Sequence, residues 1–162
     1  MTVLMGGGLD VDKAFVDMIR KIGGHGNDKI DVGVIRASGE EGCNDYLFAM
    51  EGVDSVETVV IKKHSGADNP KVISIIEGAD VLFIAGGDQR TYIDQWNDTA
   101  VERTIKSVLL AKMCPLGGTS AGLAVLGAVD LRAAGFIEPA QVPARNHASR
   151  AETSPAGGPV LL

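Results

Sequence analysis

Aromatic residues are scarce. Phe, Trp and Tyr supply 4% of the 162 residues, so the core must be built from Val, Ile, Leu, Ala and Met, a mix that suits parallel strands buried under helices. Cysteine is scarcer still. Cys43 and Cys114 are too few for a disulfide framework, and neither shares a metal-ligand spacing with His25, His64 or His147. Buried, reduced thiols are expected, with no metal site and no cofactor. Basic residues are outnumbered, 15 Lys and Arg against 21 Asp and Glu, for a net charge of -6. That leaves no basic footprint for a phosphate backbone, so no nucleic-acid partner is expected. No apolar run approaches the length of a membrane span. Met1 to Met5 lead directly into Gly6 without the charged and apolar regions of a secretory leader. The chain as written reads as cytoplasmic, with no membrane partner.

The rest of the composition is that of a protein that folds in water: 45% hydrophobic and 22% charged. The length suits one domain with a real core. Thr2 to Met5 reads as a short strand. Val11, Ala14, Phe15, Met18, Ile19 and Ile22 then recur at helical spacing until Gly23 and Gly24 stop the helix. A second strand is predicted over Ile30 to Ala37, with a short helix around Asp45 to Glu51 after a polar loop. Val56 to Ile61 forms a third, followed by a loop from Lys62 to Asn69. Asn69 is the expected N-cap, and Pro70 the first residue, of a helix that runs to Glu77.

Val81 to Ala85 is a wholly apolar strand that breaks into Gly86-Gly87-Asp88-Gln89, with a helix from Thr91 to Trp96. Thr99 and Glu102 fit a capping box for a helix to Lys112. A strand over Met113 to Leu116, the turn Gly117-Gly118-Thr119-Ser120-Ala121-Gly122 and an apolar helix from Ala121 to Leu126 complete the series. Alternation of this kind predicts an α/β fold: a mostly parallel sheet of five strands with helices on both faces. The last 32 residues differ. Lysine occurs eight times before residue 131 and never after it, and four of the six prolines lie beyond it. The expected organisation is one α/β domain over residues 1–130 and an irregular, disordered tail over residues 131–162.

Gly118-Thr119-Ser120-Ala121-Gly122 satisfies G-x-S-x-G, in which flanking glycines allow a strained strand-to-helix turn that pushes the serine hydroxyl outward. Ser120 is the candidate nucleophile. The N–H of Ala121, at the positive end of the helix that follows, points where an oxyanion would form. Gly87, in a glycine pair that lets backbone approach a carbonyl, is the candidate second donor, with Gln89 as a substrate-binding residue beside it. All these loops follow strands and so converge on one edge of the sheet. A phosphate site at Gly6-Gly7-Gly8 is a weaker reading, since it has neither the Gly-Lys-Ser/Thr ending of a P-loop nor the spacing of G-x-G-x-x-G.

The runs Gly6-Gly7-Gly8-Leu9-Asp10, Val34-Ile35-Arg36-Ala37-Ser38-Gly39, Gly86-Gly87-Asp88-Gln89 and Gly117-Gly118-Thr119-Ser120-Ala121-Gly122 resemble those of cyanophycinase-like proteins, relatives of peptidase E. The resemblance covers residues 1–129. It implies a class I glutamine amidotransferase-like fold, a flavodoxin-like three-layer sandwich, with serine in place of cysteine and a triad completed by histidine and an acidic residue. It also implies a peptide substrate, cut next to an aspartyl residue or in a β-Asp-Arg polymer.

Ser120 needs a general base. His25 falls on the amino-terminal edge of the sheet, opposite the turn. His64 falls on the correct edge within Lys62-Lys63-His64-Ser65, which reads equally as a solvated loop. His147 follows Ser120 in chain order, as the family's base does, and is the candidate base, although Arg145-Asn146-His147-Ala148-Ser149-Arg150 keeps little else of the family's segment. Glu138 and Glu152 are available acids, and neither stands in a matching segment. Family members are longer, which motivates the expectation that the chain is truncated or altered after residue 130. The alternative to a working peptidase is then an inactive member without a complete triad. Loss of later strands would leave a sheet edge open to a second copy, hence a homodimer.

Overall fold

A computed structural model describes residues 1–23, 26 and 28–126 of the chain. The expected tail, residues 131–162, lies outside them. Five strands, β1 (Thr2–Met5), β2 (Ile30–Arg36), β3 (Val53–Val60), β4 (Val81–Ile84) and β5 (Leu116–Thr119), form one sheet in the order β1-β5-β4-β2-β3. All the pairings are parallel. The helices are α1 (Asp12–Lys21), α2 (Asn44–Phe48), α3 (Pro70–Gly78), α4 (Gln89–Trp96) and α5 (Ala100–Leu110), with a sixth, α6, over residues 121–126.

The alternating side chains of β4 divide the core. Val81 and Phe83 pack with Phe15, Met18 and Ile19 of α1 and Leu47 of α2. Leu82 and Ile84 face Ile76 of α3, Tyr92 and Trp96 of α4, Ile105 of α5 and Ala121 and Leu126 of α6. The result is three layers with helices on both faces of a parallel sheet, as the sequence pattern predicts. Phe83 and Ile84 are fully buried, and each such side chain contributes about 1.5–3 kcal/mol relative to exposure.

Local chemistry fixes several boundaries. Asn69 Oδ1 accepts from the Lys71 N–H at 2.9 Å with Pro70 first in α3, as expected. Asp88 caps α4 by accepting from the Arg90 N–H at 3.1 Å and from Thr91 Oγ1 at 3.0 Å, so the helix begins at Gln89, before the predicted Thr91. Thr99 accepts from the Glu102 N–H at 3.5 Å. The return bond of the expected capping box is displaced by one residue, however: the Glu102 carboxylate accepts from the Asp98 N–H at 2.8 Å. Asp98 has φ 59, a turn that presents its amide, while the Thr99 N–H goes to the Trp96 carbonyl at 3.2 Å. His64 stands in a short 3-10 helix, His64–Asp68, within the predicted loop.

β5 spans Leu116–Thr119 rather than the expected Met113 to Leu116, so Gly117 and Gly118 are ladder residues opposite Val3 and Leu4. The strand is buried between β1 and β4, and its neighbours leave no room for side chains. A Cβ on Gly117 would lie 2.9 Å from Met18 Cε, and one on Gly118 would lie 2.7 Å from the Gly122 carbonyl carbon.

Candidate active site

Ser120 immediately follows β5, and it is exposed while Thr119 and Ala121 on either side are buried. Its φ is 51, a left-handed conformation that costs a non-glycine residue roughly 1–2 kcal/mol. Packing holds it there. The Ser120 N–H donates to the Met5 carbonyl at 3.2 Å, and its own carbonyl accepts from the Ala124 N–H at 3.0 Å to begin α6. Thr119 Oγ1 donates to the Gly6 carbonyl at 3.1 Å, which ties the loop after β1 to the same corner. Gly122 lies against the Ile84 carbonyl, where a Cβ would overlap the oxygen. The end of β4 and the start of α6 therefore press together around this turn.

The loop after β4 runs alongside. A Cβ on Gly86 would lie 3.6 Å from Ser120 Cβ and 3.5 Å from Thr119 Cγ2. Gly87 and Gln89 are exposed, Gln89 as the first residue of α4. Beneath this loop lies Tyr92, 1% exposed, whose hydroxyl donates to the Ala85 carbonyl at 2.7 Å and lies 3.3 Å from the Gly86 carbonyl. Burial pushes the phenol pKa up, against the lowering effects of the Ala37 backbone and the Arg36 charge, so the group is a neutral donor. The ring meets Trp96 edge-on, with centroids 4.5 Å apart. No motif in the sequence marks Tyr92; its only signal there is an aromatic pair with Trp96 one helical turn apart.

The loop after β2 is fastened by Arg36. Its Nε donates to the Ser38 carbonyl at 2.6 Å and its Nη1 to the Glu40 carbonyl at 2.7 Å. Gly39, with φ +86, lies under the guanidinium. Cys43 nearby has its thiol pKa raised chiefly by burial, opposed by Arg36 and reinforced by Asp10. A raised thiol pKa keeps the sulfur protonated and unreactive. Cys114 is buried and its pKa is likewise raised by desolvation. Tyr46 donates to Asp12 Oδ1 at 2.6 Å; burial first, then that bond, push its pKa up to about 12.

Of the three histidines, His64 lies after β3, three strands from β5, roughly 14 Å at the usual ~4.8 Å strand spacing. Its Nε2 lies 3.2 Å from the Asn97 carbonyl. The structure thus places it against the end of α4, not beside Ser120. His25, His147, Glu138 and Glu152 lie outside the described residues. Among the described residues, no group of three His, Cys, Asp or Glu side chains could hold a metal ion, and no helix is long and apolar enough to cross a membrane.

Residues 44–135 match the profile of Peptidase family S51. Over 81 residues the chain is 31% identical to cyanophycinases of Trichormus variabilis and of Nostoc sp.. The alignment covers 50% of this chain and 27% of each relative. The crystal structure of a peptidase from an acI-B1 Actinobacterium superimposes with a TM-score of 0.60 at 19% identity, covering 78% of this chain and 56% of that one. At that identity the likeness speaks for the fold.

Proposed function

Because the chain belongs to Peptidase family S51, whose profile matches more than half of it, we propose that it is a cyanophycinase-like serine peptidase with Ser120 as nucleophile. The observation that carries this reading is the setting of Ser120: an exposed hydroxyl on a left-handed residue between a strand and a helix, with Gly86 alongside. Strain of this kind persists only where the surroundings over-determine it, and it favours exposure of the side chain.

The reaction follows from the local donors. Ser120 Oγ attacks the carbonyl carbon of an amide next to an aspartyl residue, as its proton passes to a general base. The carbonyl oxygen takes the negative charge. Ser120's own N–H is committed to Met5, so the oxyanion is held by the N–H groups of Ala121 and Gly87. Collapse expels the amine, which receives the proton, and leaves an ester on Ser120 that water hydrolyses. Gln89, exposed at the start of α4, binds substrate. His147 is the candidate base.

A second reading, an inactive member of the family, is favoured by the engagement of His64 with Asn97, since that leaves His147 to supply the base. Two assays separate the readings. A fluorophosphonate probe should label the wild-type chain and leave Ser120→Ala unlabelled; equal labelling of both rejects Ser120 as the nucleophile. Hydrolysis of β-Asp-Arg and Asp-X dipeptides should be lost in both Ser120→Ala and His147→Ala, and a wild-type chain without turnover supports the inactive reading.

A further inference from the structure

Tyr92 is a buried polar group with no part in the reaction just described, and it touches the loop that reaction depends on. Its one hydroxyl proton is shared between the Ala85 carbonyl at 2.7 Å and the Gly86 carbonyl at 3.3 Å. A trans peptide is planar, and its C=O and N–H point in opposite directions. When the Gly86 carbonyl turns inward to Tyr92, the Gly87 N–H of the same peptide turns outward from the core. Two consecutive glycines impose no steric preference of their own on that plane. The orientation must therefore be set from outside the loop.

We propose that Tyr92 is a positioning residue that holds the Gly86–Gly87 peptide with its N–H directed to the oxyanion. The inference rests on the hydrolase reading above. The fit beneath the loop supports it: a Cβ on Gly87 would lie 3.2 Å from Tyr92 Cε2 and 3.3 Å from its hydroxyl oxygen, so the ring forms the floor on which the glycine pair rests. The ring is fixed in turn by Trp96, edge-on against it. Burial keeps the phenol protonated, so the donor is retained throughout the neutral range. An amide left free to turn would hold its charge partner only part of the time, and loss of a whole oxyanion donor costs about 100- to 1000-fold in kcat.

The test is Tyr92→Phe, which keeps the ring and removes the hydroxyl. The kcat for β-Asp-Arg hydrolysis should fall roughly 10- to 100-fold, a part of the loss for a whole donor, with KM unchanged within about twofold. Amide hydrogen exchange in residues 85–89 should rise in the same variant. Val108→Ala, a core truncation on α5 away from the loop, should lose stability and retain kcat. Equal kcat losses in the two variants would overturn the proposal, as would unchanged exchange over residues 85–89 in Tyr92→Phe. Should Tyr92→Phe not fold, Gly87→Ala displaces the hydroxyl from the other side and should show the same split between kcat and KM; a change confined to KM would overturn the inference. A wild-type chain inert to both dipeptide and fluorophosphonate sinks the hydrolase reading by itself, and the exchange measurement then decides whether Tyr92 holds the loop.

Discussion

Gly122 and Ile84 meet without room for a side chain between them: a Cβ on Gly122 would lie 2.8 Å from the Ile84 carbonyl carbon. The obstacle is backbone at the end of a buried strand, which cannot rotate away as a flexible side chain would. Gly122→Ala should therefore destabilise the fold by about 2 kcal/mol or more, at the upper end of overpacking costs. Gly42→Ala, at a glycine with nothing within 4 Å, should stay within roughly 0.5 kcal/mol of wild type. Urea denaturation midpoints compare the two, and equal midpoints would contradict the close approach.

Relief of strain at Ser120 should show as stability gained at the expense of chemistry. Glycine tolerates the left-handed conformation that serine holds at φ 51. Ser120→Gly should be more stable than Ser120→Ala by about 1 kcal/mol, a difference of roughly 2–4 °C in Tm for a domain of this size. Both variants should be inert to fluorophosphonate. A lower Tm for the glycine variant would argue against strain at this turn.

At the start of α4, Asp88 accepts two hydrogen bonds. Loss of a cap of this type costs about 1 kcal/mol, so Asp88→Ala should lower the denaturation midpoint accordingly. Asp88→Asn keeps an acceptor oxygen and should recover most of the loss. If the asparagine variant is as unstable as the alanine one, charge rather than the capping bond is responsible.

The alkaline limb of stability has a definite sign. Tyr46 titrates at about 12 in the folded chain against the ordinary 10.0, so the native state holds its proton more tightly. Its contribution is fully present below pH 10.0 and is lost as pH rises through about 12. In a Tyr92→Phe background Tyr46 is the remaining one of two tyrosines, and its tyrosinate absorbance should rise with a midpoint well above 10.0. Asp12→Asn removes the carboxylate that holds the phenol proton and should lower that midpoint; no change would assign the shift to burial and to the charges of Asp10 and Cys43.

Legibility in the sequence followed the range of the forces involved. Asn69 and Pro70 declared the start of α3 because a cap is an affair of three residues. The strand-helix alternation declared the three layers. By contrast, Gly117 and Gly118 read as turn residues, because glycine after an apolar segment is ordinarily a turn. Their place inside β5 depends on Met18 from α1 and on the ladder with Val3 and Leu4 of β1, neighbours that no local window contains. Glu102 was matched to Thr99 by spacing, yet the left-handed Asp98 offers its amide first.

The candidate site is legible in proportion. The glycine frame marks Ser120 as the proposed nucleophile, whereas the Tyr92 hydroxyl donates to carbonyls six and seven residues earlier across a loop, a relation no motif encodes. His64 was compatible with the correct edge until the sheet order placed β3 three strands from β5.

That sheet order also sets a timetable. β1 leaves the ribosome before the other described strands, yet its partner among the described residues is β5, more than a hundred residues later in the chain. Synthesis runs at about 5–20 residues per second, so β1 waits on the order of several seconds with its backbone unpaired, while β2, β3 and β4 can already assemble. Insertion of β5 between β1 and β4 then joins the two parts and, in the same event, bends the chain at Ser120. A nascent chain halted before residue 116 would have most of its sheet but neither Ser120 nor Ala121, and its open β4 edge would be a natural target for chaperones.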